Sequence, residues 1–447
     1  MIHKVRRAYK KSSSHTNLIP NEMRYLALTE KDRQEMLKAI GVSSIDNLYD
    51  AVPSEFLLKK PIENLPNHQG EIEVEAILKS LANKNRAASA GPFFLGAGCY
   101  KHHIPSSVDH LIQRSEFLTS YTPYQPEISQ GTLAVIFQFQ SIIALLTGME
   151  VANASMYDGA TSLSEACLMS LRIKSGRKNI ATIGNIHPDY LEVTKTSLDL
   201  NESKFVTEID ESCAAVIVQY PDFHGEIGNL DDFRKKCDAA GALLVVVTNE
   251  IVSLGLLDAP KQADIVVGEA SSLGVGLNFG GPLLGFFACK KEFVRQMPGR
   301  ICGATNDVDG KPGYVLTLNA REQHIRREKA TSNICSNQGL CATAFTIHAS
   351  LLGENGFKKL ALINHKKACE LADKLSKVKG VKVLNQSFFN EFTVELSQDA
   401  LDVNKKLLAK NIIGGFAQGK KMIVAVSELT STQDMETLAN ELEKILN

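Results

Sequence analysis

From about residue 131 onward, apolar positions group into long helical stretches separated by short β-branched runs, while the first hundred residues carry only brief helical periodicity. Residues 132–147 read as a helix closed by Gly148, and a second helix runs from near Thr161 to Ile173. Strand candidates follow at 179–183, 215–219, 243–247, 265–267 and 284–288, with helix-like segments between most of them. Strands that alternate with helices and are apolar throughout predict a mostly parallel sheet buried on both faces. After Gly353 the pattern changes to a helix at 357–378, strands near 381–384 and 391–396, a helix at 400–410, a strand at 422–426 and a last helix from about Asp434. That is the pattern of a smaller α+β domain. Ahead of the large domain, Thr29 as N-cap, Asp32 at the capping-box position and Gly41 past the end mark a short helix. A second short element is expected at 45–52 and a helical pattern at 72–88, with Pro53, Pro61 and Pro66 between them. The expected domains are therefore an N-terminal helical arm (23–110), a large domain (111–350) and a small C-terminal domain (351–447).

Composition narrows the class of function. Of the 447 residues, 49 are Lys or Arg and 50 are Asp or Glu, so bulk charge calls for neither nucleic acid nor a membrane as partner. Nine cysteines lie scattered without a CxxC pair, which signals neither a disulfide framework nor a metal site and fits a reducing cytoplasm. No apolar run approaches the roughly 20 residues that span a bilayer. Residues 1–22 are basic and serine-rich, with Glu22 as the single acid. A transit peptide, a mis-assigned start and a disordered tail are all open readings of that leader.

Four stretches stand out as candidates for chemistry. Tyr121-Thr-Pro-Tyr124-Gln-Pro-Glu127 is a proline-stiffened loop immediately before a helix, suited to line a binding site or to act as a rigid connector. Asp158-Gly-Ala-Thr161 opens a helix whose free N–H groups could hold a phosphate, or is simply a capped start. Gly274 to Gly281 leads into a strand and lacks the setting of a dinucleotide fingerprint, so it reads as a tight turn. Arg321-Glu-Gln-His324-Ile-Arg326-Arg327-Glu-Lys329-Ala-Thr331-Ser332-Asn333 suits anion binding, with a solvated helix face as the plainer reading.

Taken in order, Leu95 to Tyr100, residues 121–131, Gln219 to Asp222, Met297 to Arg300 and 321–335 closely resemble the glycine cleavage system P proteins. The resemblance covers most of the chain after Met23. In length the chain resembles the alpha subunit of the two-subunit bacterial form. It implies an α/β, fold-type-I PLP-dependent transferase architecture with a large mostly parallel sheet domain and a small C-terminal α+β domain. In such enzymes a strand-end aspartate pairs with the pyridinium nitrogen, and a lysine shortly after the following strand attaches the cofactor. Here Asn249 stands near the first position, and Gly268-Glu-Ala-Ser-Ser-Leu-Gly274 offers no lysine at the second; Lys261 and Lys290 lie on the wrong sides. An attached cofactor needs a primary amine. The resemblance thus implies that pyridoxal phosphate is held by the beta subunit and that the alpha chain lines its site. Tyr121, Tyr124, Glu127, Arg321 and His324 are the expected lining residues, and Thr331, Ser332 and Asn333 the expected phosphate donors across the interface. Implied partners are glycine dehydrogenase subunit 2 (beta), the lipoylated H protein and glycine, with a functional link to the T and L proteins. A scaffold that never touches substrate and a free-standing aminotransferase or decarboxylase with a displaced lysine are the alternatives.

Overall fold

The computed structural model describes residues 28–447 except 59, 61, 67 and 68; the basic leader lies outside the described residues. The chain divides into two compact units, one ending at Asn85 and the other spanning Arg86–Asn447. In the first unit, α1 (Glu30–Ile40) is capped by Thr29 with a reciprocal bond to Asp32 and ends at Gly41 in the left-handed region, as the pattern predicts. Helix α2 (Glu71–Ala82) leaves Ile72, Val74, Ile77, Leu78 and Leu81 exposed.

The second unit is built on a seven-stranded sheet: β1 (Val151–Ala152), β2 (Asn179–Ile183), β3 (Lys204–Val206), β4 (Cys213–Gln219), β5 (Leu243–Thr248), β6 (Ile265–Glu269) and β7 (Gly285–Cys289), in the order β1-β7-β6-β5-β4-β2-β3. Strands β2 to β6 pair in parallel, and β7 runs antiparallel to both β6 and β1. Every residue of β4, β5 and β6 is buried, which explains their unbroken apolar sequences: helices cover both faces of a parallel sheet. The flanking helices are α3 (Gln130–Thr147), α4 (Gly159–Ile173), α5 (Pro188–Asp199) and α6 (Leu230–Ala240). Helix α3 is long and apolar enough by composition to cross a membrane, contrary to the expectation that no apolar run approaches that length. It buries Leu133, Ile136, Phe139 and Ile143 in the core of the large domain, as a core helix does.

A two-stranded ribbon, β8 (Ile301–Asn306) with β9 (Pro312–Thr317), was not expected from the pattern. Its outer half is polar and exposed, so it shows no period-two signal. The long helix α7 (Gly339–Leu375) breaks at Gly353, where the sequence reading had placed the start of the small domain. That domain is a four-stranded antiparallel sheet of β10 (Val381–Val383), β11 (Glu391–Leu396), β12 (Phe416–Gln418) and β13 (Lys421–Ala425), covered by α8 (Ala400–Ala409) and α9 (Thr432–Leu446). Residues 86–110, grouped with the arm by pattern, fall instead within this second unit. Phe94 is fully buried in the small domain's core, and its backbone bonds to Ile413 and Ala425.

Candidate active site

In an open α/β sheet, ligands bind outside the carboxyl ends of the parallel strands. A crevice of about 890 Å³ lies there, lined among others by Gly98, Cys99, His102, Asp158, Thr161, His187, Tyr190, Asn249 and Glu269. Its polar groups are largely matched among themselves. The His187 ring stacks on Tyr190 at 4.8 Å and 25° between planes. The Tyr190 hydroxyl donates to Asn249 Oδ1 at 2.7 Å, at the end of β5. At the start of α4, the Gly159 N–H donates to the Glu269 carboxylate at 3.0 Å, and the Thr161 N–H to Asp158 at 2.7 Å. Glu269 also accepts from the Ser271 N–H and hydroxyl and from the Leu284 N–H. Burial pushes its carboxyl above the usual range, against these four bonds, and pushes the Tyr190 phenol well up and the His187 imidazole down.

Beneath this crevice an ion triad joins the two domains. His102 lies 2.9 Å from Glu250 of the large domain and 2.9 Å from Glu428 of the small one. Burial alone would push its imidazole down; the two carboxylates override that and raise it to about 10, while Glu428 is held at about 2. Nearby, burial pushes Glu391 up to about 7, although it accepts from the Ala97 N–H and the Tyr100 hydroxyl.

The eight residues expected to line the partner's site lie apart from this crevice, and none of them lines it. Tyr124 and His324 do meet, edge to face at 5.8 Å. Arg300 joins their surroundings: its guanidinium is buried and donates to the Tyr124 hydroxyl at 2.9 Å, to Ser336 at 3.0 Å and to Thr122 at 3.3 Å. It thereby clips the 121–131 loop to the segment after Thr331. In the sequence Arg300 is only the end of the Met297-to-Arg300 run; its partners are far along the chain, and only tertiary structure supplies them. Arg321 is committed to backbone, donating to the carbonyls of Met297, Gly299 and Leu318, so it holds a turn in shape. The Thr331 N–H bonds to Arg321, Ser332 accepts from Ile334, and Asn333 accepts from Gln323. Tyr121, Glu127 and Asn333 are exposed; Thr331 and Ser332, half-buried, line a shallow pocket with Arg300 and Arg321. The stretch 319–329, read as a possible helix face, folds as three short turns.

A sequence profile described as "Glycine cleavage system P-protein" matches residues 23–442. The chain is 51% identical to a protein of Erythrobacter litoralis named "Probable glycine dehydrogenase (decarboxylating) subunit 1", covering 95% of this chain and all of that one. A protein of Parvibaculum lavamentivorans with the same name is 50% identical over the same shares. Among solved structures, a glycine decarboxylase (P-protein) of the glycine cleavage system in inhibitor-bound form superposes with a TM-score of 0.88 at 40% identity, covering 94% of this chain and all of that one. The chain belongs to the glycine cleavage system P-protein family. Mouse CSAD, at 14% identity and a TM-score of 0.64, shares the fold. Its fold is that of the type-I PLP-dependent enzymes.

For a P-protein chain the fold implies pyridoxal phosphate, but the crevice residues do not fit it. A pyridinium partner should be an acid, and Asn249 is an amide. The amides at the α4 start that would hold the phosphate are bonded to Glu269 and Asp158. No lysine lies between β6 and β7; among the described residues, Lys101 is the one lysine lining the crevice, and it comes from the segment before the large domain. Lys290 is paired with Asp264, and Lys261 packs beside Gly148.

Proposed function

We propose that this chain is the alpha subunit of a two-subunit glycine decarboxylase whose pyridoxal phosphate is carried by the beta subunit. Together they decarboxylate glycine and pass the aminomethyl group to the lipoyl arm of the H protein in the cytoplasm, with the T and L proteins acting downstream. The single observation that carries this reading is a P-protein fold, matched over nearly the whole chain, whose strand end after β6 bears Glu269, Ser271 and Ser272 in place of a lysine. Bound pyridoxal phosphate supplies the electron sink for loss of CO2.

The chain's own contribution is positioning. Arg300, fixed by burial, holds the Tyr124 hydroxyl while the Tyr124 ring meets His324, and Tyr121 and Glu127 extend the same loop toward the partner. Thr331, Ser332 and Asn333 supply small polar donors for a phosphate across the interface, on a segment pinned by the Tyr157 hydroxyl, which accepts from the Cys335 N–H at 2.8 Å. Arg321 shapes the turn that presents them. Such residues orient substrate and exclude water without bonding covalently to anything.

The test is exchange of bicarbonate into the glycine carboxyl, measured with each chain alone and with both. Exchange is expected from the pair only; exchange from this chain alone contradicts the assignment. Asn333→Ala in an intact pair then separates a lining role, which lowers exchange, from a scaffold role, which leaves it unchanged.

A further inference from the structure

The absent lysine explains why this chain would not attach a cofactor, but not why its crevice would refuse one. A phosphorylated pyridine bound at this point of the fold needs a flat partner for its ring, a polar group at the ring end and free amides at a helix start. Each of these is present, and each is engaged at least in part by a side chain of the chain itself: His187 by the Tyr190 ring, Asn249 through its Oδ1, and the Gly159 and Thr161 N–H groups by Glu269 and Asp158. The Tyr190 ring lies on His187, the flat partner. Its hydroxyl takes Asn249 Oδ1 and sits so close to the first residue of α4 that a Cβ on Gly159 would lie 2.2 Å from it. The Glu269 carboxylate, buried at the end of β6, accepts from the Gly159 N–H, bringing negative charge to the place an anion would take. A second observation points to a ligand: Asn249 is 5% exposed and its Nδ2 donor, which faces Gly98, has no partner.

We propose that the crevice is a phosphopyridine site closed from within, with the Tyr190 ring in the place of the pyridine and the Glu269 carboxylate in the place of the phosphate. Removing both opens it to a phosphorylated pyridine held without a covalent bond. The inference rests on the reading that the partner subunit carries the cofactor. It adds that exclusion from this chain is active, the work of two side chains, and would persist if a lysine were restored. Glutamine at 269 keeps an oxygen for the Leu284 and Ser271 N–H groups and turns an N–H toward a phosphate, so Glu269→Gln removes the charge with little loss of the local bonds.

The experiment uses the co-purified pair. Borohydride first fixes the resident cofactor, and peptide mapping locates it. Pyridoxamine 5′-phosphate, which has no aldehyde, is then titrated by its fluorescence into the wild-type pair and the Tyr190→Ala, Glu269→Gln pair. One equivalent is expected to bind the variant at least tenfold more tightly than the wild type, with inorganic phosphate competing and unphosphorylated pyridoxamine binding at least tenfold more weakly. A folded variant that binds no better than wild type overturns the proposal, as does a wild-type pair that already takes up the equivalent. Should the variant fail to assemble, nitration of the wild-type pair decides: Tyr190 is expected to resist tetranitromethane, and modification at the rate of free tyrosine amide overturns the plug. A fixed cofactor mapped to this chain defeats the underlying reading; one mapped to the partner, with a failed titration, defeats the plug alone.

Discussion

Around the carboxyl ends of β5 and β6, polar groups are largely taken up within the chain: the Tyr190 hydroxyl by Asn249 Oδ1, Glu269 by the backbone N–H groups of Gly159 and Leu284, His102 by two carboxylates. Across the loop at 121–131 and the segment at 321–336, one buried arginine organises side chains whose tips stay exposed, Tyr124 at 55% and Tyr121 at 86%. The first region has the layout of a cofactor site and little left to offer a ligand. The second has no crevice of comparable size and presents hydroxyls, an amide and an imidazole outward. The proposed division of labour between the subunits expects this contrast: a filled cofactor layout in one region and outward-facing polar groups in the other.

That contrast can be broken at either end. The largest effect is expected at the floor of the crevice, where His102→Ala leaves Glu250 and Glu428 without their cation; a loss of about 3–5 kcal/mol in urea unfolding is expected, since a buried charge loses its partner. An unchanged unfolding midpoint would show that the triad does not join the domains. On the other side, Arg300→Ala in the pair is expected to lower glycine exchange roughly 100-fold, the scale of a misplacement near 1 Å. Arg300→Lys should not restore it, because a lysine cannot fork to Tyr124 and Ser336 together. Tyr124→Phe, which keeps the ring and loses the hydroxyl, is expected to cost about tenfold in the same assay, on the order of one hydrogen bond to a charged donor. The smallest effect belongs to Tyr190→Phe: within about twofold of wild type in exchange, since on this account the crevice takes no part in turnover.

The pH dependence of stability follows from the same triad. His102 titrates in the fold at about 10, above its ordinary 6.5, so its contribution is complete below 6.5 and is lost as pH climbs through 10. Glu428, held at about 2 against 4.5, contributes above 4.5 and loses that contribution as pH falls toward 2. Glu391, raised to about 7, favours the fold in its protonated form, and that benefit fades between 4.5 and 7. The thermal midpoint should therefore decline from pH 7 to pH 10, and His102→Asn should flatten the decline; an equally steep decline in the variant would assign it to other groups.

Strands of the large sheet were legible in the sequence because both of their faces are buried, which leaves unbroken apolar runs at β4 to β6. The capped start at Thr29 was legible because its signal is local. The ribbon β8–β9 was not, since its residues are half-exposed and follow no period. At the site, the loop at Tyr121 and the segment at Arg321 stood out by composition, and the missing lysine and Asn249 by position after a recognisable strand. What sequence could not give was any partner far along the chain: Arg300 with Tyr124, or Tyr190 with Asn249. The Arg321 side chain shows the same limit in reverse, as its charge suggested anion binding while its donors point at backbone carbonyls.

The division of labour between the two subunits is tested most directly by reducing the active pair with borohydride and mapping the pyridoxyl-modified peptide by mass spectrometry. The account predicts one modified lysine per pair, on the partner subunit, with every peptide of this chain unmodified. A pyridoxyl group on Lys101, or on any other lysine of this chain, would contradict it.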